Sequence, residues 1–253
     1  MNEKIACIIQ ARMGSKRLPD KILKLLDDKN TVLDFLLNQI SSSKLLNKVI
    51  IATTTLDEDD VLENYAKKMK IDCFRGSCED VLDRYYQCAK KFSLSTIIRI
   101  TSDCPLIDPK QSMKVLKELL ANNDDYVSLD DKTYPDGLDT EVFTFIALEK
   151  AWKNAKLKSE REHVTPFLYN PDNNFKIKKI PYKKNLSNLR WTVDYDDDLE
   201  FVRRIYSYLY KKQIFFMEDI LELLEKNPEL KKINSSHSRN EGYAKSLEDD
   251  KIN

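Results

Sequence analysis

Short apolar runs alternating with amphipathic stretches predict an α/β protein built on a doubly wound, mostly parallel sheet, and three observations carry that reading. The runs at 5–9 and 49–51 are continuously apolar and the run at 96–100 is strongly β-branched, all three rich in isoleucine, as suits strands buried on both faces. The stretches between them space their apolar residues at helical intervals, and strands that alternate with helices in this way imply right-handed crossovers. The polar segment that follows the first run then emerges at the carboxyl end of a strand, which is where open α/β sheets bind ligands.

Each element follows from its local pattern. Residues 5–9 form the first strand. Residues 31–40 place apolar side chains at 32, 33, 35, 36, 37 and 40, a helical rhythm, and 48–52 returns to a strand through Val49-Ile50-Ile51. A helix over 59–69, a short strand over 71–74, a helix over 80–92 and a strongly β-branched strand over 96–100 continue the alternation. A helix over 112–121 and a strand over 126–129 follow. From 132 to 184 the rhythm loosens, with Pro135, Pro166, Pro171 and Pro181 interrupting it, and 175–180 alternates like a half-exposed strand; this stretch forms a smaller, irregular part. Residues 189–193 read as a last strand that completes the sheet. Residues 197–210 read as a helix with Phe201, Ile205 and Leu209 on one face, and 216–224 as a final helix. One domain thus spans 1–225, and the polar residues 226–253 read as a mobile or partner-dependent tail.

Composition narrows the function classes. A chain of 253 residues, 42% hydrophobic, can bury one sizeable core. Lys and Arg number 42 and Asp and Glu also 42, so the charge balance points to neither nucleic acid nor a membrane surface, and any anion site must be local. With no cationic, apolar leader and no membrane-length apolar run, the cytosol is the expected location. The five cysteines show no Cys-x-x-Cys spacing and only His163 and His237 accompany them, which argues against zinc and for reduced core thiols. Cys104, beside Asp103, is read as a packing residue. Trp152 and Trp191 are read as core.

Chemistry concentrates in residues 8–21, Ile-Ile-Gln-Ala-Arg-Met-Gly-Ser-Lys-Arg-Leu-Pro-Asp-Lys. Arg12, Lys16, Arg17 and Lys21 can neutralise several phosphate oxygens, Gly14 permits a tight turn and Pro19 limits the loop's freedom. The pattern is neither a Walker loop nor a dinucleotide fingerprint, because no Gly-Lys-Ser/Thr closes it and a single glycine is present. Asp103 follows the strongest strand and precedes Cys-Pro, which leaves a carboxylate at the sheet's carboxyl edge. Asp194 also follows an apolar run, whereas Asp196, Asp197 and Asp198 suit helix capping. Arg99 has two readings, a nucleotide contact or a buried partner for a carboxylate.

The segment Ala-Arg-Met-Gly-Ser-x-Arg-Leu-Pro-x-Lys resembles the signature of the cytidylyltransferases that make CMP-activated acidic sugars, especially the branch named after the spore coat polysaccharide synthesis protein SpsF. The resemblance continues through 75–86, 99–109, 134–143, 160–166 and 190–202. Two positions depart from it, Asp20 and Ser102, where glycine is common in the family.

The resemblance implies a nucleotide-diphospho-sugar transferase fold, similar to GT-A, with the smaller part facing the acceptor. It further implies that CMP passes from CTP to a nonulosonate or related keto-acid sugar and that pyrophosphate is released. Arg12, Arg17 and Lys21 would bind the β- and γ-phosphates, and Asp103 and Asp194 would hold Mg²⁺, with Lys16 solvated. Ala11, Gly14 and Ser15 would line the nucleotide site together with Ala52, Thr53, Thr54 and Ser77, the cytosine lying near 52–54 and 75–77. Asp136, Asp139, Glu141, Arg161 and His163 would meet the acceptor, with Arg161 offering its bidentate fork to a carboxylate and His163 in a structural part. Members of the family are commonly homodimers. Two other readings stay open: a glycosyltransferase of similar fold that consumes a nucleotide sugar, and a CTP-binding regulator without turnover.

Overall fold

A computed structural model of the chain describes residues 4–42, 48–209, 212 and 214–251. Seven strands form one sheet in the order β3-β2-β1-β4-β6-β5-β7. The strands are β1 (Ile5–Gln10), β2 (Lys48–Thr54), β3 (Asp72–Gly76), β4 (Thr96–Thr101), β5 (Tyr126–Leu129), β6 (Glu141–Thr144) and β7 (Ile177–Ile180). The pairs β1–β2, β1–β4, β2–β3 and β5–β7 are parallel; β6 runs antiparallel to both of its neighbours. Helices α1 (Val32–Ser41), α2 (Asp60–Met69), α3 (Val81–Lys91) and α4 (Pro109–Asn122) alternate with the first strands, and α5 (Phe145–Asn154), α6 (Lys158–His163) and α7 (Pro166–Tyr169) follow β6. Among the described residues no helix is long and apolar enough to cross a membrane.

The strands that read as continuously apolar are buried on both faces. Cys7, Ile9 and Ile51 point into one core with α1 and α4, while Ile8, Ile50 and Ile97 point into the other with α3 and α5. Burying each isoleucine contributes about 1.5–3 kcal/mol, so these central strands fix the sheet. Helix ends follow capping chemistry. Thr31 and Asp34 form a capping box on α1, and Asp80 and Asp108 accept from the first turns of α3 and α4.

Three expectations give way. Residues 189–193 form no strand. Arg190 makes a single bridge to Asp136, and the segment crosses the sheet's carboxyl edge through isolated bonds, Trp191 N–H to the Asp136 carbonyl (2.7 Å) and Val193 N–H to the Asp103 carbonyl (2.8 Å). Trp191 and Val193 are apolar because they are buried there, not because they join a ladder. The sheet is completed instead by β6, from within the stretch expected to be irregular.

The polar residues after 226 are also structured: a 3-10 turn spans Pro228–Lys232, and α10 (Glu241–Asp250) packs on α6 (Lys158–His163). Leu230 joins the core and Ile233 packs against it, while α10 is tied to α6 by polar contacts, Lys158 Nζ to Asp249 and Ser159 N–H to Asp250, which hydrophobic periodicity does not reveal. The helix expected over 197–210 is α8 (Asp196–Leu209), with Phe201 and Ile205 buried and Leu209 against the core; Tyr210 lies outside the described residues. Residues 217–226 form α9 (Met217–Lys226).

Candidate active site

The loop after β1 is held from below. Ala11 N–H continues the pairing to the Ala52 carbonyl (3.1 Å), Met13 N–H donates to Asp59 Oδ1 (2.7 Å), and buried Leu18 anchors the far end. Arg12, Lys16 and Arg17 project from this frame as exposed side chains. Gly14 does not use glycine's freedom: its φ is not positive, and an added Cβ would meet only the tip of Glu58. The left-handed position is Asp20, at φ 56°, with an exposed side chain. That conformation explains why glycine suits the position and why Asp, which tolerates it, can replace glycine.

Lys21 opens a 3-10 turn whose next residue, Ile22, is buried. Its Nζ lies 2.6 Å from Asp103 Oδ2 and 2.8 Å from Asp194 Oδ1, so the two carboxylates converge on one ammonium. Asp194 Oδ1 also accepts from Arg17 Nη2 at 2.6 Å. Burial alone would raise the Asp103 carboxyl, but Lys21 overrides it and the pKa settles at about 2. Burial works against the charge on Lys21 as well, and its two carboxylates outweigh that and raise it.

A second layer holds these groups. Arg190 donates to Asp194 Oδ2 (3.0 Å), to both oxygens of the fully buried Asp198 (2.9 and 3.0 Å) and to Asp136 Oδ2 (2.9 Å). Asp198 also accepts from the N–H groups of Asp194 and Tyr195, so it caps α8 as expected and fixes Asp194 as well. Arg239 donates to Asp139 and to the carbonyls of Asp131 and Tyr134. Glu241 accepts from Arg17 (3.0 Å) and from the Tyr195 hydroxyl (2.8 Å), and His237 stacks on Tyr195 with ring centroids 3.9 Å apart. Desolvation, reinforced by Asp139, lifts Asp136 to about 7 despite Arg239 and Arg190. Gly137, at φ +98°, is pressed against the backbone of Trp191 and Thr192, where a Cβ would come within 2.6 Å. Here glycine is required.

The network therefore sets Arg17, Lys21, Arg190 and Arg239 against Asp103, Asp136, Asp139, Asp194, Asp198 and Glu241, an excess of carboxylates that suits a further cation. Among the described residues no group of three or more His, Cys, Asp or Glu side chains could hold a metal ion. A hard cation at Asp103 and Asp194 would take its remaining oxygens from ligand and water, as Mg²⁺ usually does.

Other expected site residues lie elsewhere. Arg161 donates through Nε and Nη2 to Asp80 and through Nη1 to the Trp152 carbonyl, so its fork is occupied clamping α6 to the start of α3. Glu141 accepts from Arg99, Tyr126 and Thr165, which settles Arg99 as a buried carboxylate partner. His163 contacts Ser246 and the edge of Tyr243 beneath α10. Thr54 donates to Asp59 and Ser77 accepts from Asp80 N–H, while the buried Thr53 hydroxyl has no partner. Burial pushes the Cys104 thiol well up, in keeping with a packing role.

Arg190, Arg239, Tyr195, His237 and Glu241 are the members that sequence reasoning does not single out. The Arg190, Asp194, Asp198 spacing of four was the available signal; Arg239 and Glu241 carry none.

A family model described as Cytidylyltransferase matches residues 6–241. An uncharacterized protein of Methanocaldococcus jannaschii is 43% identical over 92% of this chain and 95% of its own length. The spore coat polysaccharide biosynthesis protein SpsF of Bacillus subtilis is 31% identical over 90% of this chain and 97% of its own. Among solved structures, a cytidylyltransferase from Leptospira borgpetersenii aligns with a TM-score of 0.87 at 34% identity, covering 94% of this chain and 99% of that one.

Proposed function

The chain belongs to the cytidylyltransferase family, and from that membership we propose that it transfers CMP from CTP to an acidic sugar, a nonulosonate or related keto-acid, releasing pyrophosphate in a Mg²⁺-dependent reaction that serves surface glycan synthesis. The observation that carries the reading is the convergence of Asp103 and Asp194 on Lys21, with Arg17 on the same carboxylate.

Nucleotidyl transfer asks for positioning and charge neutralisation more than for covalent chemistry. Lys21 and Arg17 are the cations that a triphosphate would draw from Asp194, and that exchange frees the two carboxylates. Asp103 and Asp194 would then hold Mg²⁺, for which Lys21 Nζ is the present stand-in. When bound there, Mg²⁺ supplies polarisation of the α-phosphate and acidification of the attacking hydroxyl. Arg17 and Lys21, with the exposed Arg12, stabilise the departing pyrophosphate. Arg190 keeps Asp194 aimed at the site. Asp136 and Asp139 adjoin this network and are the acceptor-side groups; Glu141, Arg161 and His163 are committed to structural contacts.

The test is a pyrophosphate-release screen of four nucleoside triphosphates against a panel of acidic sugars. Release from CTP alone, requiring Mg²⁺, is expected. Lys21→Ala and Asp103→Asn should each cut the rate by about 10²–10³-fold, equivalent to about 3–4 kcal/mol of barrier, with an unchanged far-ultraviolet spectrum. An active Asp103→Asn variant contradicts the metal assignment, and release of a nucleoside diphosphate from a nucleotide sugar replaces the reading with a glycosyltransferase.

A further inference from the structure

Glu241 reaches the charge network from the far end of the chain. It opens α10, and its Oε2 accepts from Arg17 Nη1 (3.0 Å) and from the Tyr195 hydroxyl (2.8 Å), while its Oε1 accepts from Ser238 N–H (3.3 Å). The carboxylate thus has two anchors besides Arg17. The Tyr195 hydroxyl, outweighing burial and helped by Ser238 and Arg17, holds its carboxyl below the ordinary value, so it stays ionised. Tyr195 is fixed in turn: its N–H donates to buried Asp198 (3.1 Å), its ring stacks on His237, and His237 Nε2 lies 2.8 and 2.7 Å from the two oxygens of Asp197. The Arg17 guanidinium lies over the same ring, 5.3 Å from its centroid and within cation–π range.

Arg17 needs such a frame. Its side chain projects from a loop and is 36% exposed, and a long, exposed guanidinium gives up much rotamer freedom when it must meet a ligand in one geometry. Its two terminal nitrogens have different partners. Nη2 meets Asp194 at 2.6 Å, a carboxylate shared with Lys21, whereas Nη1 meets Glu241, which among the described residues makes no ion pair with Lys21. A ligand that draws Nη2 away from Asp194 therefore leaves Nη1 on Glu241. Because the guanidinium is planar and rigid, fixing Nη1 and laying the group over one ring also fixes the direction of Nη2, which points to the carboxylate where Lys21 converges. A carboxylate that merely plugged the cation would sit on the nitrogen facing the site and have Arg17 as its sole support. Glu241 does neither.

We propose that Glu241 is a positioning residue for this cation: with Tyr195 it holds Arg17 by Nη1 so that Nη2 is presented to the phosphate chain of the nucleotide. The segment that carries Glu241 is in this sense part of the phosphate site. The inference rests on the reading of the site as one for a nucleoside triphosphate.

Calorimetric titration of the full chain with tripolyphosphate in the presence of Mg²⁺, beside thermal melting, tests it through a double-mutant cycle. Glu241→Gln should weaken tripolyphosphate binding by roughly five- to twentyfold, although removing a negative charge near an anion site would by itself tighten it. In an Arg17→Met background the same substitution should weaken binding by less than about twofold, or tighten it, because no guanidinium is left to hold. Tyr195→Phe, which removes the hydroxyl anchor, should show a smaller loss with the same dependence on Arg17, and both single variants should melt close to wild type. Unchanged or tighter binding by Glu241→Gln overturns the proposal, the tighter case making Glu241 a plug. Equal losses with and without Arg17 overturn it as well, since a residue that only supports the fold acts without reference to Arg17. So does a wild-type chain that does not bind tripolyphosphate, whatever its turnover. Coupled binding without pyrophosphate release from CTP removes the transferase reading and leaves this one standing, and release from CTP without the coupling removes this one alone.

Discussion

Asp136 shows how far one side chain's surroundings can carry a measurable property. Its folded pKa of about 7 stands above the ordinary carboxylate value of about 3.9. Between those values the unfolded chain has released the proton and the folded chain still holds it, so this group makes stability fall as pH rises from about 4 to about 7. A melting series across that range should show the fall in wild type and lose this contribution in Asp136→Asn; an unchanged slope in the variant contradicts the assignment. Gly137 beside it is the one described glycine at positive φ. Gly137→Ala should cost about 1–3 kcal/mol in denaturant unfolding, from the backbone conformation alone, with the clash against Trp191 and Thr192 adding to it. Gly14, by contrast, should accept alanine with little loss.

Among the elements, α6 carries a residue whose role differs from its sequence appearance. The family resemblance of its segment implies a substrate fork for Arg161, whose guanidinium can pair bidentately with a carboxylate. Its donors instead join the N-cap of α3 to the end of α5. Arg161→Ala should therefore lower the melting temperature and leave the Michaelis constant for the acceptor close to wild type; the reverse pattern would return Arg161 to the acceptor site.

The strands divide in the same instructive way. β1, β2 and β4 are legible because burial on both faces demands isoleucine-rich, β-branched sequence, which the single charge of Arg99 in β4 does not mask. β6 was not, since Glu141 looks like a loop residue until Arg99 on the adjacent strand neutralises it. Residues 189–193 misled in the other direction, their apolar side chains being buried by a crossing segment rather than by a ladder.

For the whole molecule, the carboxyl edge of a parallel sheet brings Lys21 and Asp103 together from far apart in sequence, and Asp194 joins them from a crossing segment rather than from the end of the expected strand. The layer behind them was not readable, since Arg239 and Glu241 sit in a polar stretch with no periodicity and gain their places only through tertiary contacts. Asn234 Nδ2 donates to Asp198 and to the Arg190 carbonyl, and Lys158 and Ser159 of α6 bond Asp249 and Asp250 of α10. Removing residues 227–253 should therefore lower the melting temperature and abolish activity together. A truncated chain that melts like wild type would show those contacts to be ornamental.

The strand order has a consequence for biosynthesis. β4 pairs with β1 on one side and waits for β6 on the other, yet β6 begins only at Glu141. A nascent chain that has left the ribosome through β5 has no antiparallel partner to cover the open flank of β4, an isoleucine-rich template of the kind to which other unfinished chains adhere. The finished sheet ends instead on β3 and on β7, whose outer positions carry Lys178 and Lys179. The hazard is thus confined to the interval of translation between the two strands.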